Sequence, residues 1–150
     1  MAEGPRVHAR LTRGALALDD LVAGVADEAH GATVTFTGTT RREQGPPAVV
    51  RLEYEAYEPM ARAEMEAIGL EAARRYGAHV AAAHRLGPVP AGEASVGVAA
   101  SAAHRPAAFA ACRHVIDEIK RRAPIWKQDV HADGTRAWQD GLPPVPVPGT

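Results

Sequence analysis

"HVAAAHRLGPVPAGEASVGVAASA", His79 to Ala102, decides the fold class. It holds two apolar runs, "HVAAAHRLG" and "ASVGVAASA", that read as strands on either side of the turn "PVPAGE". Strands joined by so short a turn pair antiparallel, because a parallel neighbour requires a crossover of roughly a dozen residues. The class predicted is α+β, with a mixed, largely antiparallel sheet, and not a doubly wound parallel sheet.

The flanking sequence supplies the other elements. "RVHARL" alternates Val7, Ala9 and Leu11 on one face, and "ATVTFTG" alternates Ala32, Val34 and Phe36 against threonines. "VVRLEYEAY" sets Val50, Leu52 and Tyr54 opposite Arg51, Glu53 and Glu55. Period-two alternation marks each as a strand. The last two, joined by "TTRREQGPP", are expected to be sheet neighbours. Helical spacing puts Leu18, Leu21, Val22, Val25 and Ala29 on one face, with Asp19 as N-cap and Gly31 as the stop. A second helix runs from Pro59 to Tyr76, burying Ala61, Met65, Ile68 and Ala72 and closing at Gly77. A third runs from Pro106 to Arg122 with Phe109, Cys112, Ile116 and Ile119 as its apolar stripe, ended by Pro124. About three helices therefore pack on the sheet. "KQDVHADGTRAW" predicts a short C-terminal hairpin turning at Asp133-Gly134. Residues 1–141 read as one domain, and 142–150, "LPPVPVPGT", as a Pro-rich disordered tail.

With 150 residues, 46% of them hydrophobic, the chain is long enough for one buried core. A net charge of -1 gives no broad attraction to nucleic acid or membrane, so an anion site must be a local basic cluster. No apolar run reaches the ~18 residues of a membrane span. The first twenty residues lack the apolar stretch of a secretory signal, so the expected location is cytoplasmic. The single cysteine, Cys112, excludes an internal disulfide and reads as a small buried hydrophobe. The seven histidines show no metal-ligand spacing; His79 and His84, five apart on one strand, face opposite sides. Glycine-rich phosphate loops are absent. Neither metal nor cofactor is expected.

The chemistry concentrates in "DEIKRRAPIWKQD". Lys120 lies on the flank of the third helix's stripe, where a lone lysine snorkels, its stem packed and its ammonium at the rim. Lys127 offers a second reading. Pro124 breaks the helix, and Ile125 and Trp126 anchor the returning segment, which brings Lys127 back to the last helical turn. Two ammonium groups in a partly dry pocket depress each other's pKa, which suits proton transfer near neutral pH. At the helix's other end, "AHRPAAF" puts His104 and Arg105 at an N-terminus opened by Pro106. Free N–H groups and the dipole favour an anion such as phosphate there. The bland alternative is a histidine cap and a solvated arginine. Arg41 and Arg42 open the loop after Gly38, either as a bidentate anion clamp or as solvated charge. Along one helix Arg105 and Lys120 are about 22 Å apart. Either there are two sites, or a symmetric dimer brings the His104–Arg105 end to its mate's lysines, which is the preferred reading.

These landmarks together resemble the large, catalytic subunit of molybdopterin synthase. The matching stretches are "GATVTFTGTTR", "LEYEAYEPMA", "HRLGPVPAGEASV", "AHRPAAFAACRHVIDEIKRRAPIWKQD" and "DGTRAW", which cover roughly seven-tenths of the chain. The resemblance implies sulfur transfer to cyclic pyranopterin monophosphate, forming the molybdopterin dithiolene of molybdenum cofactor biosynthesis. It implies a small ubiquitin-like sulfur-carrier subunit with a C-terminal thiocarboxylate, and a homodimer of large subunits at the centre of a heterotetramer. Carried over by motif, Lys120 lies beside the thiocarboxylate tail and Lys127 serves the chemistry. Arg41 binds anionic substrate, His104 and Arg105 reach the pocket from the other subunit, and Phe36 and Met60 help line it. Three departures from the common pattern stand out: Thr40 in place of a β-branched apolar residue, Glu43-Gln44 in the loop, and Gln128-Asp129 after the second lysine. Two alternatives to the synthase remain. One is a Schiff-base lysine enzyme acting on a phosphorylated carbonyl compound. The other is a non-catalytic module that docks a ubiquitin-like tail.

Overall fold

The computed structural model describes residues 4–43 and 47–139. The expected disordered tail, 142–150, and Gln44 lie outside the described residues. Eleven elements follow in order: β1 (Val7–Thr12), α1 (Leu18–Gly24), β2 (Ala32–Thr39), β3 (Val49–Ala56), α2 (Glu58–Tyr76), β4 (His79–Arg85), β5 (Gly87–Pro90), β6 (Ala94–Ala102), α3 (Arg105–Arg122), β7 (Ile125–His131) and β8 (Arg136–Trp138).

The strands form two four-stranded sheets, ordered β1-β4-β6-β2 and β5-β3-β7-β8. β4 and β6 pair antiparallel as the opening stretch requires, and β1 alone runs parallel to its neighbour, β4. The predicted mixed, largely antiparallel α+β arrangement with three helices is present, divided between two sheets. β2 and β3, expected as neighbours, are in different sheets: β2 pairs with β6, and β3 with β5 and β7. "GPVP", read as part of a turn, is the edge strand β5, where prolines cost no ladder bonds on the open side.

The first sheet is built from small residues and carries helices on both faces. Val80, Ala82, Val98 and Ala100 meet α2 and α3 across the main core, in which Met65, Ile68 and Val115 are fully buried. Ala81, Ala83 and Ala99 meet Leu21 of α1 on the other side. α1 packs so closely that a Cβ at Gly97 would stand 2.9 Å from Leu21 Cδ1. α2 buries the predicted Ala61, Met65, Ile68 and Ala72, and it ends on Gly77 in the left-handed region (φ 63°). α1 is shorter than expected: Ala17, not Asp19, occupies the N-cap, and Val22 and Ala29 are exposed. On α3 the buried face is Ala108, Ala111, Cys112, Val115, Ile116 and Ile119, whereas Phe109, assigned to the stripe, is 60% exposed.

His79 and His84 do face opposite ways. On the α1 side, Arg6 N–H donates to His79 Nδ1, and His79 Nε2–H donates to Asp27 Oδ2 at 2.8 Å. His30 stacks on His79 and bonds Ser101 Oγ through Nδ1. Asp27, His30 and His79 thus come together, although their spacing in sequence did not reveal it. The tautomer that Arg6 imposes leaves His79 Nε2 a donor, so the cluster ties the loop after α1 to the sheet.

Candidate active site

The second sheet brings the two lysines together. In the β3–β7 register Lys127 stands opposite Tyr54, and Ile125 opposite Ala56. Directly opposed residues share one face, so Lys127 projects beside the Tyr54 ring. The chain reaches that register straight from α3. Pro124 O accepts a hydrogen bond from Tyr57 N–H at 3.2 Å, and Ile125 packs against the cores of both sheets. Lys120, in the last turn of α3, and Lys127 consequently wall one cavity of about 300 Å³ together with Tyr54, His84, Trp126 and Trp138. Surrounding protein atoms desolvate the Lys120 ammonium and Lys127 repels it; both effects push its pKa below the ordinary lysine value.

A second cavity of about 290 Å³ adjoins the first and contains Arg41. Lys127 and Gln139 belong to both walls. Gln139 Nε2 donates to Asp129 Oδ1 at 2.8 Å, so Asp129, one of the departures, holds the side chain between the two cavities. Arg41 is 84% exposed, 3.8 Å from Glu43, and its guanidinium is open to an incoming anion. Thr40 beside it is buried, and among the described residues its hydroxyl has no partner. Two ammonium groups and a guanidinium around adjoining cavities suit an elongated, multiply anionic ligand.

Other expected residues lie elsewhere in this chain. His104 is the N-cap residue of α3 but makes no side-chain cap bond, and Arg105 beside it is exposed. Both are at the end of α3 remote from Lys120, and neither cavity includes them. Phe36, on the edge strand β2, is 38% exposed, and Met60, in the first turn of α2, is 49% exposed; neither lines the two cavities.

His84 was read only as a strand residue, and it is the notable addition to the site. Its Nδ1–H donates to the Arg85 carbonyl at 2.8 Å, and its ring meets Tyr54 edge-on with centroids 4.9 Å apart. Burial above all pushes its pKa down to about 4; the Arg85 bond opposes that shift, and smaller repulsions from Lys120 and then Lys127 add to it. The signal was available: alternation from Val80 through Ala82 puts His84 on the face that meets α3.

A model of the MoaE protein family matches residues 11–122. The molybdopterin synthase catalytic subunit of Oryza sativa subsp. indica is 52% identical over 128 residues, 85% of this chain and 66% of the relative, so the chain spans just under two thirds of that protein. The Bacillus subtilis (strain 168) protein of the same name is 38% identical over 92% of this chain and 88% of its own length. Among solved structures, molybdopterin synthase from Staphylococcus aureus superposes with a TM-score of 0.82 at 32% identity, covering 86% of this chain and 94% of that one. A complex of subunits 1 and 2 of the molybdopterin-converting factor from Helicobacter pylori superposes at 0.72 with 27% identity, covering 87% and 89%. The family model covers α1 to α3, and sequence relatives and fold agree with it: the chain belongs to the MoaE family.

Proposed function

We propose that this chain transfers sulfur from the C-terminal thiocarboxylate of a small ubiquitin-like subunit to cyclic pyranopterin monophosphate, making the molybdopterin dithiolene. The observation that carries this reading is the pair of lysines converging from α3 and β7 on one cavity that adjoins the cavity of Arg41. A thiocarboxylate is anionic and slender, and the Lys120 side of the cavity suits such a tail. Lys127, shared by both cavities, sits where tail and pterin meet, and Arg41 takes the anionic part of the pterin. The thiocarboxylate sulfur bonds to a pterin carbon, water then adds to the acyl carbon as the acyl–sulfur bond breaks, leaving the sulfur on the pterin and a carboxylate on the carrier, and the ammonium groups stabilise the negative charge that develops. His104 and Arg105 complete the pocket from a second copy of the chain, and Phe36 and Met60 contribute apolar wall at that junction. The reading assigns the cytoplasm as the compartment; among the described residues no helix is long and apolar enough to cross a membrane.

The decisive experiment is single turnover with thiocarboxylated small subunit and cyclic pyranopterin monophosphate. Wild type should yield dithiolene, and Lys127→Ala should yield none while keeping its fold and its affinity for the carrier. A folded wild type that binds the carrier but makes no product would leave a docking module. The lowered Lys120 pKa also suits a Schiff-base nucleophile. Borohydride treatment with substrate present should leave Lys120 unmodified; a reduced adduct would establish that alternative.

A further inference from the structure

We propose that Gln139 is a tail-binding residue of the lysine pocket: the donor and the acceptor that its amide keeps free pair with the last peptide group of the carrier's C-terminal tail and set how far the thiocarboxylate enters. The identity of the tail rests on the sulfur-transfer reading; the contact is tested by binding alone.

The argument begins with register. β8 runs antiparallel to β7, with Val130 opposite Arg136, Asp129 opposite Ala137 and Gln128 opposite Trp138. One further step puts Gln139 opposite Lys127, which itself stands opposite Tyr54 on β3. Opposed residues share a face, so Tyr54, Lys127 and Gln139 form one row, about 5 Å from strand to strand. The cavities agree with this: Lys127 and Gln139 wall both, whereas Lys120 belongs to the first and Arg41 to the second. Asp129 lies on the same face, two residues along β7. A carboxylate only accepts, so the 2.8 Å contact with Asp129 Oδ1 makes Nε2 the atom that Gln139 presents to it. Arg136 does not compete for Asp129, because it pairs with Glu53 on the opposite face. One N–H of the amide is thus committed. The other N–H and the carbonyl oxygen make no hydrogen bond among the described residues, and the half-buried side chain offers them to the cavities. A donor beside an acceptor complements a peptide group, which carries one of each. Sulfur passes from the cavity of Lys120 to a pterin held by Arg41 only if the acyl end reaches the common wall. The peptide group just before that end then lies at Gln139, whichever way the pterin is turned.

The test is a binding cycle on the full chain. Wild type and Gln139→Leu, which is similar in volume and has no polar side-chain atom, are titrated calorimetrically with the small subunit, either intact or lacking its last two residues. Gln139→Leu should weaken binding of the intact carrier by about tenfold and leave that of the shortened one within about twofold. Equal losses for both carriers would mean that the Asp129 bond only pins the end of β8, and they overturn the proposal. So does an unchanged affinity for the intact carrier. If Gln139→Leu does not fold, the side-chain ¹⁵N–H signals of Gln139 in wild type give the answer. They should move when intact carrier is added and stay in place with the shortened one. Signals that stay with both, or that move only with cyclic pyranopterin monophosphate, overturn the proposal. A wild type that shows the expected binding pattern but makes no dithiolene refutes the sulfur-transfer reading and leaves the contact standing.

Discussion

Thr40 and His84 are both buried polar groups whose expected effects follow from what they lack. The Thr40 hydroxyl has no partner among the described residues, so Thr40→Val removes a desolvated group at almost constant volume and should stabilise the fold by about 1 kcal/mol. Urea denaturation measures this, and a loss of stability would mean that the hydroxyl is satisfied. His84 binds a proton near pH 6.5 when unfolded, yet its folded pKa is pushed to about 4. Between those values the unfolded state holds the extra proton, so stability falls as pH drops through that window and is flat above it. The full difference is about 3 kcal/mol, and the slope should be absent from His84→Gln when the two proteins are compared by denaturation at pH 4, 5, 6 and 7. The two residues also differ in what sequence discloses. Lys120 and Lys127 stand out because proline and bulky apolar neighbours bracket them. His84 sits in an alanine run, and only the partner strand and the helix above it turn it into part of a pocket.

At the scale of elements, close approach of backbones is the main constraint, and sequence reports it poorly. Gly69 lies inside α2, where it costs helix stability, because α2 rests directly on β1: a Cβ there would be 2.6 Å from Val7 Cγ1. Overpacking costs about 1–3 kcal/mol, whereas alanine's helix preference returns about 1 kcal/mol. Gly69→Ala should therefore lose about 1 kcal/mol, the balance of those two effects. In Val7→Ala/Gly69→Ala the clash is gone, and a double-mutant cycle should show favourable coupling between the sites; strictly additive effects would place the strain elsewhere. The long helices were readable because α2 repeats its buried positions from Ala61 to Ala73, more than three turns, and ends on a glycine. The pairing of β2 and β3 was not, since alternation identifies a strand and leaves its partner open. "GPVP" failed for a different reason: prolines suppress any strand reading, yet an edge strand tolerates them. Phe109 fits the spacing of its helix stripe and is nevertheless exposed, which points beyond the single chain.

For the whole molecule the question is what completes the site. Arg105 opens α3 and Lys120 stands in its last turn, so about 22 Å of helix separates them. The cavities near the lysines contain neither His104 nor Arg105. Phe109 lies four residues after Arg105, on the same side of α3, and is 60% exposed. Phe36 is exposed on β2, which among the described residues has a strand neighbour on one side only. An open strand edge, two exposed aromatic rings and an unused arginine are what a self-associating surface requires. If a second copy covers it, each pocket combines lysines from one subunit with His104 and Arg105 from the other. Arg105→Ala and Lys127→Ala should then each be nearly inactive as homodimers. In a heterodimer carrying one lesion per chain, one pocket collects both lesions and the other has none. About half the wild-type activity per dimer should return, since one of two pockets is intact. With both groups acting within one chain, each pocket would carry one lesion and nothing would be regained. Mixed dimers isolated through two different affinity tags and assayed by single turnover distinguish the two arrangements, and absence of recovery would return Arg105 to the role of a solvated surface residue.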